Sequence, residues 1–420
     1  MKLIGIIYLI GLLLSFYGRL GAASVNVTPK LNTFMKRIIR SASWNQSNTE
    51  FNPDVILDTP QMIRRAGYPV EAHVIMTDDG YLLTLHRIPG GNDSLPVLLQ
   101  HGLLSSSVDW IILGKDKAIA YLLADQGYDV WLGNFRGNTY SRAHISLSPS
   151  NSTFWNFSFN KMGIYDLPAM ITFITNMRSQ PLHTYIGHSM GITSFFIMAS
   201  ERPKIARMVQ MMICFAPGVF LNHIQSPIQY LIPFKRNFEM VMRLSYHDEF
   251  LPNDLVRFLL KNICDQNITG EFCINVLFMI YGDDPEQFNY NLQLVIYSHL
   301  GSISTKTIIH FVQEVESGKF CKYDYGREEN LLIYNSVEPP DYDLSNITIP
   351  IALFYANNDW LVNKKNVKKL YHLLPNVIDM YEVPWPKFNH ADFVWAKNAP
   401  KLVYDRVFKI MRGESLNNVT

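Results

Sequence analysis

The sequence is poor in cysteine and almost free of net charge. Its 420 residues include four cysteines, and 37 lysines and arginines against 36 aspartates and glutamates leave a net charge of +1. Four cysteines are too few for a disulfide scaffold, so the hydrophobic core must stabilise the fold. Balanced charge gives no bulk electrostatic attraction to nucleic acid, and we expect no nucleic-acid partner. No internal repeat is visible, which argues against a repeat array.

Long apolar runs are confined to the N-terminus. Residues 3–16 form an apolar run after Met1 and Lys2, and small residues follow at positions 21–23. This is the order of a secretory signal peptide, which we place at residues 1–23. A retained signal anchor is the alternative, but a spanning helix needs about 20 apolar residues. We expect no stable transmembrane segment once the signal is removed.

Potential N-glycosylation sites are frequent. The N-x-S/T triplet that marks such a site is a weak signal by itself, because short motifs occur by chance. Eight of these triplets behind a signal peptide form a coherent set. They predict an exposed, glycosylated surface and a secreted (extracellular) or lysosomal location. The asparagines that begin an N-x-S/T triplet are Asn26, Asn45, Asn92, Asn151, Asn156, Asn267, Asn346 and Asn418.

The four cysteines receive different assignments. Cys264 and Cys273 are close in sequence, and we pair them in a disulfide that would stabilise the fold by roughly 2–3 kcal/mol. Cys214 lies in an apolar string and is expected to be a buried free thiol. Cys321 has no assignment.

Strand and helix patterns alternate along much of the chain. Residues 70–218 contain an expected hairpin at 71–88, strands near 96–100, 128–132 and 183–186, and helices over 113–125 and 167–178. Strands separated by helices predict parallel βαβ units. The pattern turns mostly helical at 219–345 and returns with strands at 349–355 and 378–383. A last helix is expected from about 391 or 399 to 411.

These changes divide the chain into five parts. After the signal peptide we place an N-terminal segment at 24–50 and the first part of the core at 51–218. A helical cap with a lid occupies 219–345, and the second part of the core occupies 346–420.

A serine lies in the context of a nucleophile elbow. The string Gly187-His188-Ser189-Met190-Gly191 follows a predicted strand and opens a predicted helix. The G-x-S-x-G pattern needs this strand–turn–helix context, because small residues allow a strained turn that exposes the serine. Ser189 is therefore the candidate nucleophile, and an ordinary glycine–serine turn is the alternative.

A serine nucleophile needs a base and an orienting carboxylate. In this arrangement the order along the chain is serine, then the acid, then histidine, with the later residues in loops after strands. Asp359 follows the strand at 349–355 and is the candidate acid, whereas Asp392 is a rival that we expect to cap or open a helix. His390 follows the strand at 378–383 and is the candidate base.

Other histidines receive structural interpretations. His299 and His310 lie in the cap, away from any predicted strand end. His188 adjoins the nucleophile and should point elsewhere, and His101 is expected to have a packing or turn role.

Developing negative charge on the substrate needs hydrogen-bond donors. The backbone N–H of Met190, directly after the nucleophile, is one candidate. The second is the N–H of Leu103, in the loop after the strand at 96–100, where Gly102 allows a close approach of the backbone.

These features resemble the acid lipase family, the animal gastric and lysosomal lipases with their insect relatives. The similarity extends from about residue 58 to the last helix. It is carried by the segments 63–69, 79–83, 99–103, 133–142, 154–158, 165–169 and 389–395.

The resemblance implies an α/β-hydrolase fold: a mostly parallel central sheet flanked by helices, with an inserted helical cap and a mobile lid. It carries Ser189, Asp359 and His390 over as the triad, and it supports the Cys264–Cys273 pairing. It also carries over the same two oxyanion donors. The family usually has glutamine where this chain has Met190, which leaves the backbone N–H in place.

Two further positions, Phe135 and Cys321, also differ from the common pattern of the family. The cap matches the family pattern least well. Since substrate preference resides in the cap, a specific lipid does not carry over.

The sequence therefore predicts a lipase that hydrolyses ester bonds of neutral lipids, triacylglycerol or cholesteryl ester, at a lipid–water interface. We expect no cofactor and no metal, because the mechanism needs neither and no metal-spaced cluster of His and Cys is present. Two alternatives remain open: another serine hydrolase of the same fold, acting on small esters or peptides, and a non-catalytic lipid-binding relative.

Overall fold

A central β-sheet dominates the computed structural model, which describes residues 52–234, 248–251, 264 and 267–415. Within these residues nine strands form one sheet, and two short strands pair separately. In chain order the strands are β1 Glu71–Met76, β2 Tyr81–Ile88, β3 Pro96–Gln100, β4 Asp129–Gly133, β5 Ala143–His144, β6 Leu182–His188, β7 Val209–Phe215, β8 Glu249–Phe250, β9 Ile303–Ser304, β10 Ile351–Tyr355 and β11 Val377–Glu382.

The sheet is mostly parallel, as the sequence predicts. Its order is β1-β2-β4-β3-β6-β7-β10-β11, with β5 beside β2. Strands β1, β2 and β5 pair antiparallel, as β2 does with β4, whereas all pairs from β4 to β11 are parallel. Every residue of β3, β4 and β10 is buried, as expected for parallel strands covered on both faces.

Helices cover both faces of this sheet. The alternation of side chains is clearest in β3, where Leu98 packs among residues of the helices at 167–178 and 190–201, while Val97 and Leu99 pack among residues of the helices at 119–125 and 405–411. The helices are α1 Thr59–Arg65, α2 Ile119–Asp125, α3 Phe159–Lys161, α4 Leu167–Arg178, α5 Met190–Glu201, α6 Pro203–Ala206, α7 Asn267–Tyr281, α8 Gln293–Ser298, α9 Thr305–Ser317, α10 Arg327–Tyr334, α11 Lys364–Leu373, α12 Asp392–Trp395 and α13 Asp405–Met411.

One helix boundary differs from the sequence-based expectation, and the structure decides between the two starts expected for the last helix. The helix expected over 113–125 begins only at Ile119, since Gly114 adopts a left-handed backbone with φ +82° that belongs to a turn. Of the two starts expected, about 391 and 399, the second agrees with the structure, because Ala396 is extended after the short helix α12 and forms a β-bridge with Phe288. Helical structure resumes at Pro400, which suits the first turn of a helix.

Between residues 219 and 345 the described elements are mostly helical. They include the 3₁₀ turns of Pro227–Phe234, helices α7 to α10 and the short strand pair of β8 with β9. The structure contains the expected disulfide between Cys264 and Cys273. Cys214 in β7 is a buried free thiol, as predicted, and Cys321 is also buried and free.

The carboxyl ends of the central strands meet at one edge of the sheet. Gln100 at the end of β3 pairs with Gly187 in β6, and Phe215 at the end of β7 pairs with Phe354 in β10. Ligand sites in open α/β sheets form outside these carboxyl ends. The loops that follow β3, β6, β10 and β11 are therefore gathered at the place where the candidate residues were expected.

Candidate active site

Ser189 lies on the sharp turn between β6 and α5. Its backbone has φ +53° and ψ −117°, a sparsely populated region for a residue with a side chain. The Ser189 N–H donates to the carbonyl oxygen of Phe215 at 3.0 Å, which anchors the turn to β7. A Cβ atom at Gly191 would lie 2.5 Å from the carbonyl oxygen of Gln100, so a larger residue would push the turn off the sheet.

His390 links Ser189 to Asp359. Its Nε2 atom lies 2.9 Å from the Ser189 Oγ, and its Nδ1 atom lies 2.9 Å from the Asp359 Oδ2. The second oxygen of Asp359 accepts backbone N–H groups of Leu361 at 2.9 Å and Val362 at 2.7 Å. With Nδ1–H donated to the carboxylate, Nε2 carries the free lone pair that can accept the serine proton.

The loop after β3 runs close to the nucleophile. A Cβ at Gly102 would lie 3.2 Å from the Ser189 Cβ, so only glycine allows this approach without displacement. The neighbouring Leu104 has a left-handed backbone, φ +57°, and its carbonyl accepts the Gly301 N–H at 2.8 Å. This contact ties the Leu103 loop to the region between α8 and β9.

Two aromatic rings pack against His390. The His188 ring lies 5.0 Å away and its Nε2 donates to the His390 carbonyl oxygen at 2.9 Å, whereas the Tyr281 ring is stacked at 5.8 Å. Burial lowers the pKa of His188 to about 3, with a smaller contribution from the neighbouring His390. His188 therefore stays neutral and supports the backbone of His390 rather than contacting the Ser189 hydroxyl.

The other candidates of the sequence analysis do not take part in the hydrogen-bonded chain from Asp359 to Ser189. Asp392 is the first residue of α12, as expected for the rival acid, and its Oδ2 accepts the Asn389 N–H at 2.8 Å. His101 is buried in a turn role: its Nδ1 donates to the Gly102 carbonyl at 2.8 Å, and burial lowers its pKa to about 4.

The two histidines that the sequence analysis assigned to the cap make structural contacts. His299 bonds through Nε2 to the Asp54 carbonyl at 2.8 Å. His310 is buried between the Ser158 hydroxyl and the Cys321 carbonyl, each 3.0 Å from one of its ring nitrogens.

The sequence analysis missed the contribution of the end of α7 and the residues directly after it. The carbonyl oxygen of Tyr281 accepts the backbone N–H of His390 at 3.4 Å, and the Gly282 carbonyl oxygen accepts the side-chain amide of Asn389 at 2.9 Å. The only signal in the sequence is the Gly-Asp-Asp string at 282–284, which by itself indicates nothing more than a turn.

Half of the predicted glycosylation sites have described side chains, and these lie on the surface. Asn92, Asn151, Asn156 and Asn346 are exposed, as glycosylation requires. The signal peptide, Asn26, Asn45 and Asn418, like the side chain of Asn267, lie outside the described residues.

No described helix is long and apolar enough to cross a membrane. The described His, Cys, Asp and Glu residues form no group of three that could hold a metal ion.

Comparison with known proteins agrees with this geometry. A family model described as a partial alpha/beta-hydrolase lipase region matches residues 59–114, and one described as the alpha/beta hydrolase fold matches residues 96–395. A solved protein from Sulfolobus solfataricus with a provisional description as a lipase shares the fold. Its TM-score is 0.52 at 14% identity, covering 79% of this chain and 90% of that one.

Two sequence relatives are closer. Lipase 1 of Drosophila melanogaster is 39% identical, over 85% of this chain and 80% of the relative. Human gastric triacylglycerol lipase is 37% identical, over 86% of this chain and 92% of the relative. Together with the fold, these relatives support lipase activity and a carboxylic ester hydrolase. The chain belongs to the acid lipase family of the α/β-hydrolase fold.

Proposed function

We propose that this protein hydrolyses neutral lipid esters, triacylglycerol or cholesteryl ester, through an acyl-enzyme formed on Ser189. The observation that supports this most strongly is the continuous chain of two 2.9 Å hydrogen bonds from Asp359 through His390 to Ser189. Triacylglycerol is favoured as a substrate class because the human relative is named a gastric triacylglycerol lipase.

Acylation begins when the Ser189 Oγ attacks the ester carbonyl carbon and its proton moves to Nε2 of His390. Asp359 stays ionised and stabilises the imidazolium. The carbonyl oxygen becomes an oxyanion that accepts the backbone N–H groups of Leu103 and Met190. The bond to the alcohol oxygen then breaks, and His390 returns the proton to the leaving alcohol.

Deacylation repeats these steps with water. His390 takes a proton from water, the hydroxide attacks the acyl carbon, and the second oxyanion uses the same two donors. Collapse releases the fatty acid and restores the Ser189 hydroxyl. Each cycle therefore consumes one ester and one water and gives one acid and one alcohol.

The assignment of Ser189 is tested by the substitution Ser189→Ala. We expect ester hydrolysis to fall to background while the melting temperature stays unchanged, because the hydroxyl supplies the nucleophile and little packing. Ser194→Ala is the matched control, since its buried hydroxyl has no partner among the described residues and lies one turn further along α5. Hydrolysis of a long-chain ester by Ser189→Ala at the control's rate would dismiss the proposal.

The substrate class is tested by hydrolysis of triacylglycerol, cholesteryl ester and short-chain esters from acidic to neutral pH. An acyl chain is bound mainly by removing apolar surface from water, so a lipase should prefer long chains. Preference for short esters in solution would instead favour the small-ester alternative. Failure of every ester, together with no labelling by a serine-reactive phosphonate, would favour the non-catalytic lipid-binding relative.

Action at a lipid–water interface and entry into the secretory pathway belong to the same proposal. We expect activity to increase sharply when substrate passes from dispersed to aggregated form, as a movable lid in the cap requires. We also expect the signal peptide to be cleaved near residue 23 and the secreted protein to shift in mass on treatment with a glycosidase. A cell-retained protein without glycans would contradict this location.

A further inference from the structure

The last residue of α7 and the segment after it contact the loop that carries the candidate base. The Asn389 side-chain amide donates to the Gly282 carbonyl oxygen at 2.9 Å, and the backbone N–H of His390 donates to the Tyr281 carbonyl oxygen at 3.4 Å. The Tyr281 ring also lies parallel to the imidazole within 14°. Backbone and ring of His390 are therefore both held by residues of the cap.

The same segment contacts the loop that carries the candidate acid. The backbone N–H of Trp360 donates to the Tyr281 carbonyl oxygen at 3.2 Å, and the side-chain amide of Asn358 donates to the Asp283 carbonyl oxygen at 3.0 Å. Gly282 has φ +114°, and a Cβ there would lie 2.1 Å from the Asn358 carbonyl oxygen. Residues 281–284, which we call the bridge segment, thus lie against the loops on both sides of the Asp359–His390 pair.

The bridge segment ends in a carboxyl group that contacts a second carboxyl group. Asp284 and Asp392 are both buried, and their carboxyl groups lie within hydrogen-bonding reach of each other. Asp284 also accepts the Trp385 indole N–H at 2.8 Å, while Asp392 accepts the Asn389 N–H at 2.8 Å. A hydrogen bond between two carboxyl groups requires that one of them keeps a proton.

The surroundings of the pair favour retention of that proton. Burial raises the pKa of Asp392 well above its usual range, and the negative charges of Asp284 and Asp359 add to the effect. For Asp284, burial raises the pKa and Glu286 contributes in the same direction. Two lysines approach the same region, and both are already engaged: Lys387 pairs with the Glu286 carboxylate at 3.0 Å, and the Lys397 ammonium donates to the Glu286 carbonyl oxygen at 3.3 Å.

We propose that Asp284 and Asp392 are positioning residues that hold His390 in place through one shared proton. The proposal rests on the proposed function, since it concerns the base of that reaction. While the proton is present, the pair fastens the bridge segment to the loop of His390. Once it is lost, two carboxylates in contact repel each other and the bridge segment separates from that loop.

The direction of the pH effect follows from these charges. The folded-state pKa of Asp392 is raised, so the clamp is complete at acidic pH and is lost as pH rises through that pKa. Loss of the clamp frees the His390 loop, and a displacement of about 1 Å at a catalytic group can cost about 100-fold in rate. The proton of Asp392 therefore sets the alkaline limit of activity.

The substitution Asp392→Asn tests this directly. An asparagine amide can donate to Asp284 and its oxygen can accept the Asn389 N–H, but it cannot lose a proton near neutral pH. We expect the alkaline midpoint of kcat/KM for a soluble ester to move up by about one pH unit or more, because the donor persists. Asp284→Asn should cause a similar upward movement, since its amide can donate to an ionised Asp392.

Two further variants complete the test: one removes the donor at every pH, and the other is a control. Asp392→Leu removes the donor at every pH and should lower kcat at acidic pH with little change in KM, if the variant folds. Asp379→Asn is the matched control, because Asp379 pairs with Arg406 at 2.8 Å on β11, outside the bridge contacts. Its pH profile should coincide with that of the wild type.

An Asp392→Asn profile that coincides with the wild-type profile would overturn the shared-proton role while leaving the ester hydrolase assignment intact. A wild-type protein with no esterase activity at any pH would instead overturn the proposed function. Both Asn variants are close in shape to the residues they replace, so the profile can be measured even if Asp392→Leu does not fold.

Discussion

Asp359→Asn is the change whose effect the structure determines most closely. One oxygen of Asp359 faces the imidazole of His390, and the other accepts two backbone N–H groups, at 2.9 Å and 2.7 Å. In the asparagine variant the amide oxygen must keep those two donors satisfied, because the opposite orientation would set an NH₂ group against them. That orientation would leave two buried donors without acceptors, at about 1–3 kcal/mol each.

The consequence is a change of tautomer in His390. The amide NH₂ then faces Nδ1, which must become the acceptor, so the proton of the neutral ring moves to Nε2. A protonated Nε2 cannot take the proton of Ser189. We expect kcat to fall about 10⁴-fold, the size of loss that the equivalent change causes in serine proteases, or about 5 kcal/mol in the barrier.

The assay is hydrolysis of a soluble ester at saturating concentration, accompanied by a thermal unfolding measurement. Asp379→Asn, which makes the same chemical change outside the site, should retain the wild-type kcat. Because the variant keeps its shape and its two backbone hydrogen bonds, its melting temperature should stay near the wild-type value. A folded Asp359→Asn variant within tenfold of wild-type kcat would refute the assigned role of Asp359.

Two other predictions concern the elbow and a buried carboxyl group. Gly191→Ala would bring a Cβ to 2.5 Å from the Gln100 carbonyl oxygen, so we expect kcat to drop about 100-fold and stability to fall by about 1–3 kcal/mol. Ester hydrolysis and thermal melting check this, and wild-type kinetics would show that the turn tolerates a side chain. Burial raises the pKa of Asp109 from 3.8 to about 6, so the wild type loses stability as pH rises through this range. Asp109→Asn should therefore be more stable than the wild type by about 3 kcal/mol at pH 8 but not at pH 3. The check is the melting temperature of the variant minus that of the wild type at each pH, and an equal difference at pH 3 and pH 8 would contradict the prediction.

The sequence predicted the candidate triad because each member has a local signature. Ser189 lies in a five-residue pattern between a strand and a helix, and Asp359 and His390 each follow an apolar strand that is readable without tertiary information. The chain order of the three residues then restricts the choice of partners. Asp392 could be set aside because its position at the start of a helix gives it another role.

The bridge segment could not be predicted in the same way. Gly282 contacts Asn389 across 107 residues of sequence, and the pairing of Asp284 with Asp392 spans a similar distance. Neither contact leaves a periodic pattern, since both depend on how the end of α7 packs against loops from the far end of the chain. The late start of α2 has a more local cause, because Gly114 is compatible with either a turn or a weak helix.

The central claim is that Ser189 becomes covalently acylated with the help of His390. Its most direct measurement is mass spectrometry of the protein after reaction with a long-chain phosphonate ester, which leaves a stable adduct on an activated serine. The account predicts one adduct, located on the peptide that contains Ser189 and absent from a folded His390→Ala variant. An adduct on another residue that removes activity, or equal labelling without His390, would contradict it.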